Sequence, residues 1–377
     1  MNLHCRTRHR AARAALGLLV LAAAGPAPWA APTKEAPAKE KVILDTDMGE
    51  LNDDAYALFM LANSSKIELV GVTVCPGNTW LEEGLAHALR HLERLRRPDV
   101  PVVPGISEPI LGVRQTRLDA EEKLFGKVMY LGAYARPRPE SRFKLAQPPY
   151  GGYSQLRPSK GDAVDFLVRQ VKRHPGQITI LAIGPATNVA MAVRKHPEIV
   201  PLVKRVIYMG GAFDVPGNTS PAAEFNWWFD PEAARIALRA PFREQIVVPL
   251  DICEKVFYTR AIYQRIASAP STPIVQMFKD LQGPEFARDP KRTSFAWDSL
   301  AAAILIEPAL AAKMEARWVD VDVLYGPNYG RSLSYRASER ADLGRPADFP
   351  DGAQKVNLLL DIDRKGFWDL FVRLMTR

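Results

Sequence analysis

The apolar run near the N-terminus, residues 14–24, lacks the length of a membrane span. It has about half of the roughly 20 residues that a helix needs to cross a bilayer. Small residues follow it, no acidic side chain precedes Glu35, and the arginines before it are Arg6, Arg8, Arg10 and Arg13. This pattern predicts a cleaved signal peptide over residues 1–30, a flexible linker over 31–40, and an exported protein, periplasmic or secreted, without a stable membrane anchor.

Cysteine is scarce: the chain has three, and Cys5 lies within the predicted signal peptide. The two others, Cys75 and Cys253, would then lie in a compartment where disulfides can form. Their spacing does not show whether they pair. Because each follows an apolar, strand-like run, we expect two buried free thiols.

A strong excess of positive charge is also missing once the predicted signal peptide is set aside. The whole chain has a formal net charge of +8, and residues 1–30 contribute four arginines and no acids, which leaves +4. Because most of the basic charge belongs to the export signal, the composition does not support nucleic-acid binding. Neither an internal repeat nor a domain boundary is visible within residues 41–377, so we expect a single catalytic domain there.

Short apolar, β-rich runs alternate along the chain with segments of helical spacing. The predicted strands are residues 42–44, 69–74, 100–103, 178–183, 206–208 and 246–250. The predicted helices are residues 54–62, 81–95, 162–172, 186–195 and 231–238. Such runs indicate strands buried on both faces, and the alternation predicts an α/β fold with a mainly parallel, Rossmann-like open sheet flanked by helices.

Residues 119–161 interrupt this rhythm with prolines, arginines and the stretch Tyr150-Gly151-Gly152-Tyr153. We expect an insertion here that forms a lid or the edge of a pocket. After Ala301 the sequence predicts more helix, strands near 318–324 and 355–360, and a closing helix near 367–374.

Five acidic residues crowd the end of the first predicted strand: Asp45, Asp47, Glu50, Asp53 and Asp54. The carboxyl ends of the strands are where α/β sheets bind ligands. Carboxylates this close repel each other unless a cation neutralises them. All the candidate ligands are oxygens, which favours a hard ion, and calcium over magnesium where carboxylates converge without phosphate. The alternative is a solvated acidic loop in which Asn52 or Asp53 caps the next helix.

The same segment resembles the N-terminal signature of the inosine-uridine nucleoside hydrolase family, an Asp-x-Asp-x-Gly strand end followed by an Asp-Asp pair. Here it stands as Asp45-Thr46-Asp47-Met48-Gly49 and Asp53-Asp54. Three residues separate Gly49 from Asp53, whereas the best-known members have one, so the path of this loop is open. Over about residues 41–310 further segments resemble the family in order: Gly77-Asn78, Ile183-Gly184-Pro185, Met209-Gly210-Gly211, Asn218, Glu224-Phe225-Asn226, Asp230-Pro231, Leu250-Asp251 and Trp297-Asp298.

The resemblance implies an enzyme that hydrolyses the N-glycosidic bond of small ribosides to free base and ribose. It implies Ca²⁺ held by Asp47, Asp54, the Ile183 carbonyl and Asp298, with Asp47 as the general base toward a calcium-bound water. The residues that it implies for sugar binding are Asp53, Asn78, Met209, Asn218, Glu224 and Asn226. The riboside is the implied partner, and a homo-oligomer is compatible with the pattern.

Taken one at a time, these residues have simpler interpretations. Glu224 and Asn226 suit a helix cap ahead of Asp230-Pro231, and Asp298 suits another cap. Asn78 and Asn218 neighbour glycines and suit turns. Only their joint occurrence favours the site.

Histidine is absent after His196. Many family members place a His directly before the late calcium-binding Asp to protonate the leaving base, and here that residue is Trp297. A Trp at this place is similar to the purine-selective members, which stack the base between aromatic rings, so purine ribosides are the expected substrates; core packing is the alternative for Trp297. The candidates for the opposing ring are Trp80, Tyr150, Tyr153, Trp227 and Trp228. His87 and His91, one turn apart on a predicted helix, are expected to be a surface feature.

Two other functions remain open from the sequence. The segment Asp45-Thr46-Asp47 after an apolar strand also suits an aspartyl-type phosphohydrolase, with a nucleophile and an acid two residues apart. An exported riboside-binding protein without turnover would explain the missing His and the longer acidic loop.

Overall fold

The central sheet places the acidic segment in the middle of the molecule. The structure, a computed structural model, describes residues 38–112, 114–148, 152–336 and 348–377. Its strands are β1 (Glu40–Thr46), β2 (Ile67–Val74), β3 (Val102–Pro104), β4 (Ile178–Ala182), β5 (Arg205–Met209), β6 (Gln245–Val248), β7 (Phe257–Thr259), β8 (Thr293–Phe295), β9 (Ala311–Val321), β10 (Ser332–Tyr335) and β11 (Gln354–Ile362).

Nine of the described strands form one sheet in the order β10-β9-β11-β6-β5-β4-β1-β2-β3. The run from β11 to β3 is parallel, and β9 is antiparallel to both β10 and β11. The chain builds outward from β1 toward β3 and then from β4 in the other direction. Such a reversal opens a crevice at the carboxyl ends of the two central strands, here β1 and β4.

Helices cover both faces of this sheet. They are α1 (Asp53–Asn63), α2 (Leu81–Arg94), α3 (Gln115–Phe125), α4 (Ala163–Arg173), α5 (Thr187–Lys195), α6 (Phe225–Phe229), α7 (Pro231–Arg239), α8 (Leu250–Cys253), α9 (Arg260–Ala267), α10 (Pro273–Arg288), α11 (Asp298–Ile306) and α12 (Arg364–Met375). None of the helices described is both long and apolar enough to cross a membrane.

The side chains of β1 alternate between two apolar cores. Val42 and Leu44 pack into the core that contains residues of α1, α2 and α11, and Ile43 packs into the core of α4, α5 and α7. A strand that is buried on both faces has an uninterrupted run of apolar residues. This is why the sequence of residues 42–44 predicts a strand. The predicted α/β fold with a mainly parallel sheet is confirmed.

The edges of several elements differ from the predictions. β1 begins at Glu40, one residue before the predicted start of the domain, because the Glu40 carboxylate accepts hydrogen bonds from Lys204 Nζ at 2.7 Å and Arg205 Nη2 at 2.8 Å. β6 ends at Val248 rather than at residue 250, since Pro249 has no N–H for the sheet and α8 begins at Leu250. The predicted signal peptide and residues 31–37 of the linker lie outside the described residues.

The antiparallel pair of β7 and β8, with α9 and α10 between them, was not predicted. Pro284 lies within α10 and obscures its helical pattern. The expected pair of buried free thiols is confirmed for Cys75 and Cys253.

Candidate active site

Asp45 has a structural role beneath the site and does not form part of its surface. Its Oδ1 accepts hydrogen bonds from Thr73 Oγ1 at 2.6 Å and from Asn188 Nδ2 at 2.8 Å, which ties β1 to β2 and α5. Burial raises its pKa to about 6. These bonds hold the carboxylate within the sheet, and Asp45 does not line the cavity described below, so the structure gives the phosphohydrolase alternative no support.

Asp47 and Asp54 meet beneath the crevice through the loop that follows β2. The Asn78 backbone N–H donates to Asp47 Oδ2 at 2.6 Å, and Asn78 Nδ2 donates to Asp54 Oδ2 at 2.9 Å. Thr46 Oγ1 donates to the other oxygen of Asp54. Glycine is required around Asp47, because a Cβ at Gly184 would lie 2.8 Å from Asp47 Oδ1 and one at Gly77 would overlap the same carboxylate.

The start of α1 sets the positions of Asp53 and Asp54. Asn52 is extended and its Oδ1 accepts from the Ala55 backbone N–H at 3.3 Å, so it caps the helix whose first residues are Asp53 and Asp54. Asn52 Nδ2 also donates to Asp54 Oδ2 at 2.7 Å. The predicted cap at Asn52 and the predicted acidic site are therefore one structure, not alternatives.

Three carboxylates converge at a distance that suits a metal ion. One oxygen each from Asp53, Asp54 and Asp298 lie within 4.8 Å of one another. Burial, followed by the charge of Asp54, raises the pKa of Asp53 to about 7. Burial and the charges of the other aspartates likewise raise the pKa of Asp298 well above its ordinary value.

Asp47 lies beside this group, because Asn78 donates hydrogen bonds to both Asp47 and Asp54. Burial and then the charge of Asp54 raise its pKa, and its Oδ1 is buried without a hydrogen-bond partner among the described residues. Unpaired buried carboxylate oxygens are costly, and a hard cation is the partner that oxygen donors of this kind prefer. The residues therefore fit calcium, and Asp53, which was predicted as a sugar contact, lies beside the predicted ligands Asp54 and Asp298.

Ile183, directly after β4, lines the cavity. Its carbonyl accepts from Asn226 Nδ2 at 2.9 Å, while the Ile183 N–H donates to the Asp45 carbonyl at 2.8 Å. A carbonyl oxygen has two lone pairs, so this contact leaves one for a cation.

Glu224 and its neighbours form the opposite wall. The Glu224 carboxylate accepts from the backbone N–H groups of Gly211 at 2.9 Å, Asn226 at 2.8 Å and Trp227 at 3.1 Å. It thus caps α6, as the simpler interpretation held, and it also lines the cavity. Burial raises its pKa to about 7.

Asn226 and Asn218 hold this wall in place. Besides its bond to Ile183, Asn226 Nδ2 donates to the Met209 carbonyl at 3.1 Å. Asn218 Oδ1 accepts from the Phe225 backbone N–H at 2.8 Å.

The crevice encloses a cavity of about 390 Å³. The predicted residues that line it are Asp53, Asn78, Ile183, Met209, Asn218, Glu224, Asn226, Trp297 and Asp298. Asp47 and Asp54 are fully buried beneath it. The lining residues absent from the predicted set are Asn52, Tyr130 and Phe225.

Among the described residues, none of the candidates for a ring opposite Trp297 lines the cavity. Trp80, Trp227 and Trp228 are buried in apolar clusters, Tyr153 packs edge-on against His87, and Tyr150 lies outside the described residues. The aromatic side chains that do line it with Trp297 are Tyr130 and Phe225, whose ring centroids are 4.7 Å apart. Tyr130 also donates from its hydroxyl to Asn78 Oδ1 at 2.9 Å.

The expectation that His87 and His91 form a surface feature is wrong. Both are buried on α2, with ring centroids 6.3 Å apart; Tyr153 packs on His87, and Gly49 in the loop after β1 contacts His91. Neither His lines the cavity.

The comparisons with known proteins agree with this geometry. A parallel sheet with an acidic, amide-lined pocket at its reversal point is the arrangement of a nucleoside hydrolase. The chain belongs to the inosine-uridine preferring nucleoside hydrolase family, whose pattern matches residues 42–369, and it is an N-ribosyl hydrolase. The match leaves the phosphohydrolase and the binding protein without turnover unsupported.

Individual relatives cover nearly the whole domain. The chain is 30% identical over 338 residues to the pyrimidine-specific ribonucleoside hydrolase RihB of Shigella sonnei, with 88% of this chain and 96% of that protein covered. Among solved structures it resembles a plant nucleoside hydrolase, PpNRh1, at 26% identity and a TM-score of 0.73, covering 89% of this chain and 99% of that one. A purine-preferring ribonucleoside hydrolase of Gardnerella vaginalis shares the fold at 24% identity and a TM-score of 0.68, covering 89% of this chain and 98% of that one.

Proposed function

We propose that this enzyme hydrolyses ribonucleosides in a calcium-dependent reaction and prefers purine ribosides. The observation that carries the proposal is the convergence of Asp53, Asp54 and Asp298 beside the buried Asp47 at one end of an enclosed, amide-lined cavity. The ligands proposed for calcium are Asp47, Asp54, the Ile183 carbonyl and Asp298. When bound, calcium supplies positive charge that lowers the pKa of a water and anchors sugar hydroxyls.

Asp47 is the proposed general base. Its Oδ2 is held by the Asn78 N–H, while Oδ1 has no protein partner among the described residues and is the oxygen that would take the proton from water. Positioned proton transfer of this kind contributes about 10²- to 10⁴-fold to a rate.

The sugar is proposed to lie between α1 and the Glu224 wall. Asp53, Asn78, Asn218, Glu224 and Asn226 surround that part of the cavity with carboxylate and amide groups. Fixed acceptors there stabilise the positive charge that develops on the ribose as the glycosidic bond breaks. Met209 contributes an apolar surface and the carbonyl that orients Asn226.

The base is proposed to lie against Trp297, Tyr130 and Phe225. Aromatic contacts add about 0.5 to 1.5 kcal/mol beyond burial, and the larger face of a purine gains more from three rings than a pyrimidine does. A second candidate is pyrimidine preference, which the names of the relatives at 30% identity favour.

One assay separates these two preferences. Initial rates of base release from inosine, guanosine, adenosine, uridine and a nitrophenyl riboside are compared for the wild type and Trp297→Ala. We expect purine ribosides to exceed uridine in kcat/KM, and Trp297→Ala to reduce this ratio about 3- to 10-fold, equivalent to about 0.5 to 1.5 kcal/mol. The nitrophenyl riboside reports the intact sugar site, and a wild type that prefers uridine would contradict the purine proposal.

Export is a separate proposal, supported by residues 1–30 alone. N-terminal sequencing of the protein from its native host is expected to find the first residue near position 31.

A further inference from the structure

The loop between Asp47 and Asp53 is held by a hydrogen bond to a residue that lies outside the site. His91, fully buried on α2, places its Nε2 3.1 Å from the Gly49 carbonyl oxygen. Because a carbonyl can only accept, Nε2 carries the proton in this contact. Gly49 lies in the segment whose three-residue spacing to Asp53 departs from the best-known members of the family.

From Gly49 a line of hydrogen bonds leads to Asp54. The Gly49 N–H donates to Asn52 Oδ1 at 3.3 Å, and Asn52 Nδ2 donates to Asp54 Oδ2 at 2.7 Å. Asn52 also caps α1, so the start of the helix that carries Asp54 moves with it. A displacement of Gly49 is therefore transmitted to a carboxylate of the acidic group.

Packing holds His91 in a single orientation. Its ring meets Phe59 of α1 edge-on with centroids 5.3 Å apart, and it stacks with the His87 ring at a centroid distance of 6.3 Å. The His91 ring extends from α2 toward α1 in the buried core, and these packing contacts fix its position. A contact of this kind limits the freedom of a loop without touching the substrate.

We propose that His91 is a positioning residue that sets the calcium affinity of the site through Gly49 and Asn52. The inference rests on the proposed function only in naming calcium as the ion. Outer hydrogen-bond partners of metal ligands typically change metal affinity by about 10- to 100-fold when removed. His91 acts through two more hydrogen bonds than such partners, so we expect the lower end of that range.

The test is a calorimetric titration of the purified, metal-free protein with calcium alone. His91→Phe keeps an aromatic ring and removes the donor, and we expect the Kd for calcium to rise about 10-fold. His91→Gln keeps an N–H donor and is expected to recover most of this loss. The matched control is His87→Phe, the same exchange one turn earlier on the same helix, with an expected Kd within about 2-fold of the wild type.

A second variant keeps the proposal testable if His91→Phe folds poorly. Asn52→Ala breaks the same line of hydrogen bonds at its other end, and we expect a similar or larger rise in Kd. Because the two residues act in series, the double variant should lose little more than Asn52→Ala alone. At saturating calcium, kcat for His91→Phe should return to within about 2-fold of the wild type with KM unchanged.

Three results would overturn the role of His91: an unchanged Kd in His91→Phe, an equal rise in His87→Phe, or fully additive losses in the double variant. A wild type that binds no calcium would instead refute the calcium proposal itself. The two failures are thus distinguished by the wild-type titration.

Discussion

Asp47 is held differently at its two carboxylate oxygens. Oδ2 accepts the Asn78 N–H at 2.6 Å, whereas Oδ1 is buried and unpartnered within the described part of the chain. Asp47→Asn preserves the size of the side chain and removes its basicity. We expect kcat to fall by about 10²- to 10⁴-fold, measured as ribose release at saturating substrate.

The control for this change is the same exchange at a surface aspartate. Asp165 is exposed on α4 and does not line the cavity, and Asp165→Asn should keep activity within about 2-fold. Near-normal turnover in Asp47→Asn would remove Asp47 from the mechanism.

Tyr130 joins the two walls of the cavity. Its hydroxyl donates to Asn78 Oδ1, and its ring packs edge-on against Phe225. Tyr130→Phe removes only the hydroxyl, and the loss of one hydrogen bond of about 0.5 to 1.5 kcal/mol predicts a rise in KM of about 3- to 10-fold. Steady-state kinetics with inosine measures it, and a change confined to kcat would assign Tyr130 a different role.

The sequence predicted the acidic side chains better than the aromatic ones for a physical reason. The aspartates directly follow a strand or start a helix, so their position is set by local structure. Tyr130 lies in the irregular segment after α3, where the Met129 N–H donates to the Thr219 carbonyl at 3.0 Å and the Ala133 N–H to the Gly77 carbonyl at 2.7 Å. Such contacts between distant segments leave no periodic signal, and a tyrosine between methionine and leucine in an irregular segment looks like any loop residue.

At the scale of elements, α2 is a buried helix that carries two titratable rings. Two histidines one turn apart suggested a polar face, but Tyr153 packs on His87 and Phe59 packs on His91. Burial, followed by the charge of His91, lowers the pKa of His87 from 6.5 to about 3. Burial likewise lowers the pKa of His91 to about 4.

These pKa shifts predict that the protein loses stability in acid, because its buried histidines on α2 must then be protonated. A neutral buried His contributes stability that is complete above its unfolded pKa of about 6.5 and is lost as the pH falls toward the folded value of about 3. Between pH 7 and pH 5, His87 should cost the protein about 2 kcal/mol of unfolding free energy. Urea unfolding of the wild type and His87→Phe at both pH values measures the difference.

The comparison of the two proteins isolates His87 from the other groups that titrate in this range. His87→Phe keeps a ring against Tyr153 and His91 and cannot be protonated. Its loss of stability between the two pH values should be smaller by about 2 kcal/mol. Equal losses in the two proteins would show that His87 is protonated in the folded state or exposed to solvent.

At the scale of the whole molecule, the sheet brings distant segments to one point. β1 and β4 lie side by side, so Asp47 meets Ile183, and the ends of β5 and α11 add Met209 and Asp298. The apolar runs predicted this sheet because its strands are buried on both faces, and the order of the motifs along the chain then predicted one pocket. The course of residues 50–52 was not predictable from local sequence, because the adjoining Gly49 contacts His91, which lies 42 residues further along the chain.

The central claim is that this pocket hydrolyses ribosides and needs calcium to do so. The most direct measurement follows free base and ribose from inosine, using metal-free protein titrated with calcium. The account predicts equal amounts of base and ribose, no turnover with a chelator, and recovery as calcium saturates the site. Turnover that a chelator leaves unchanged, or inosine binding without base release at saturating calcium, would contradict it.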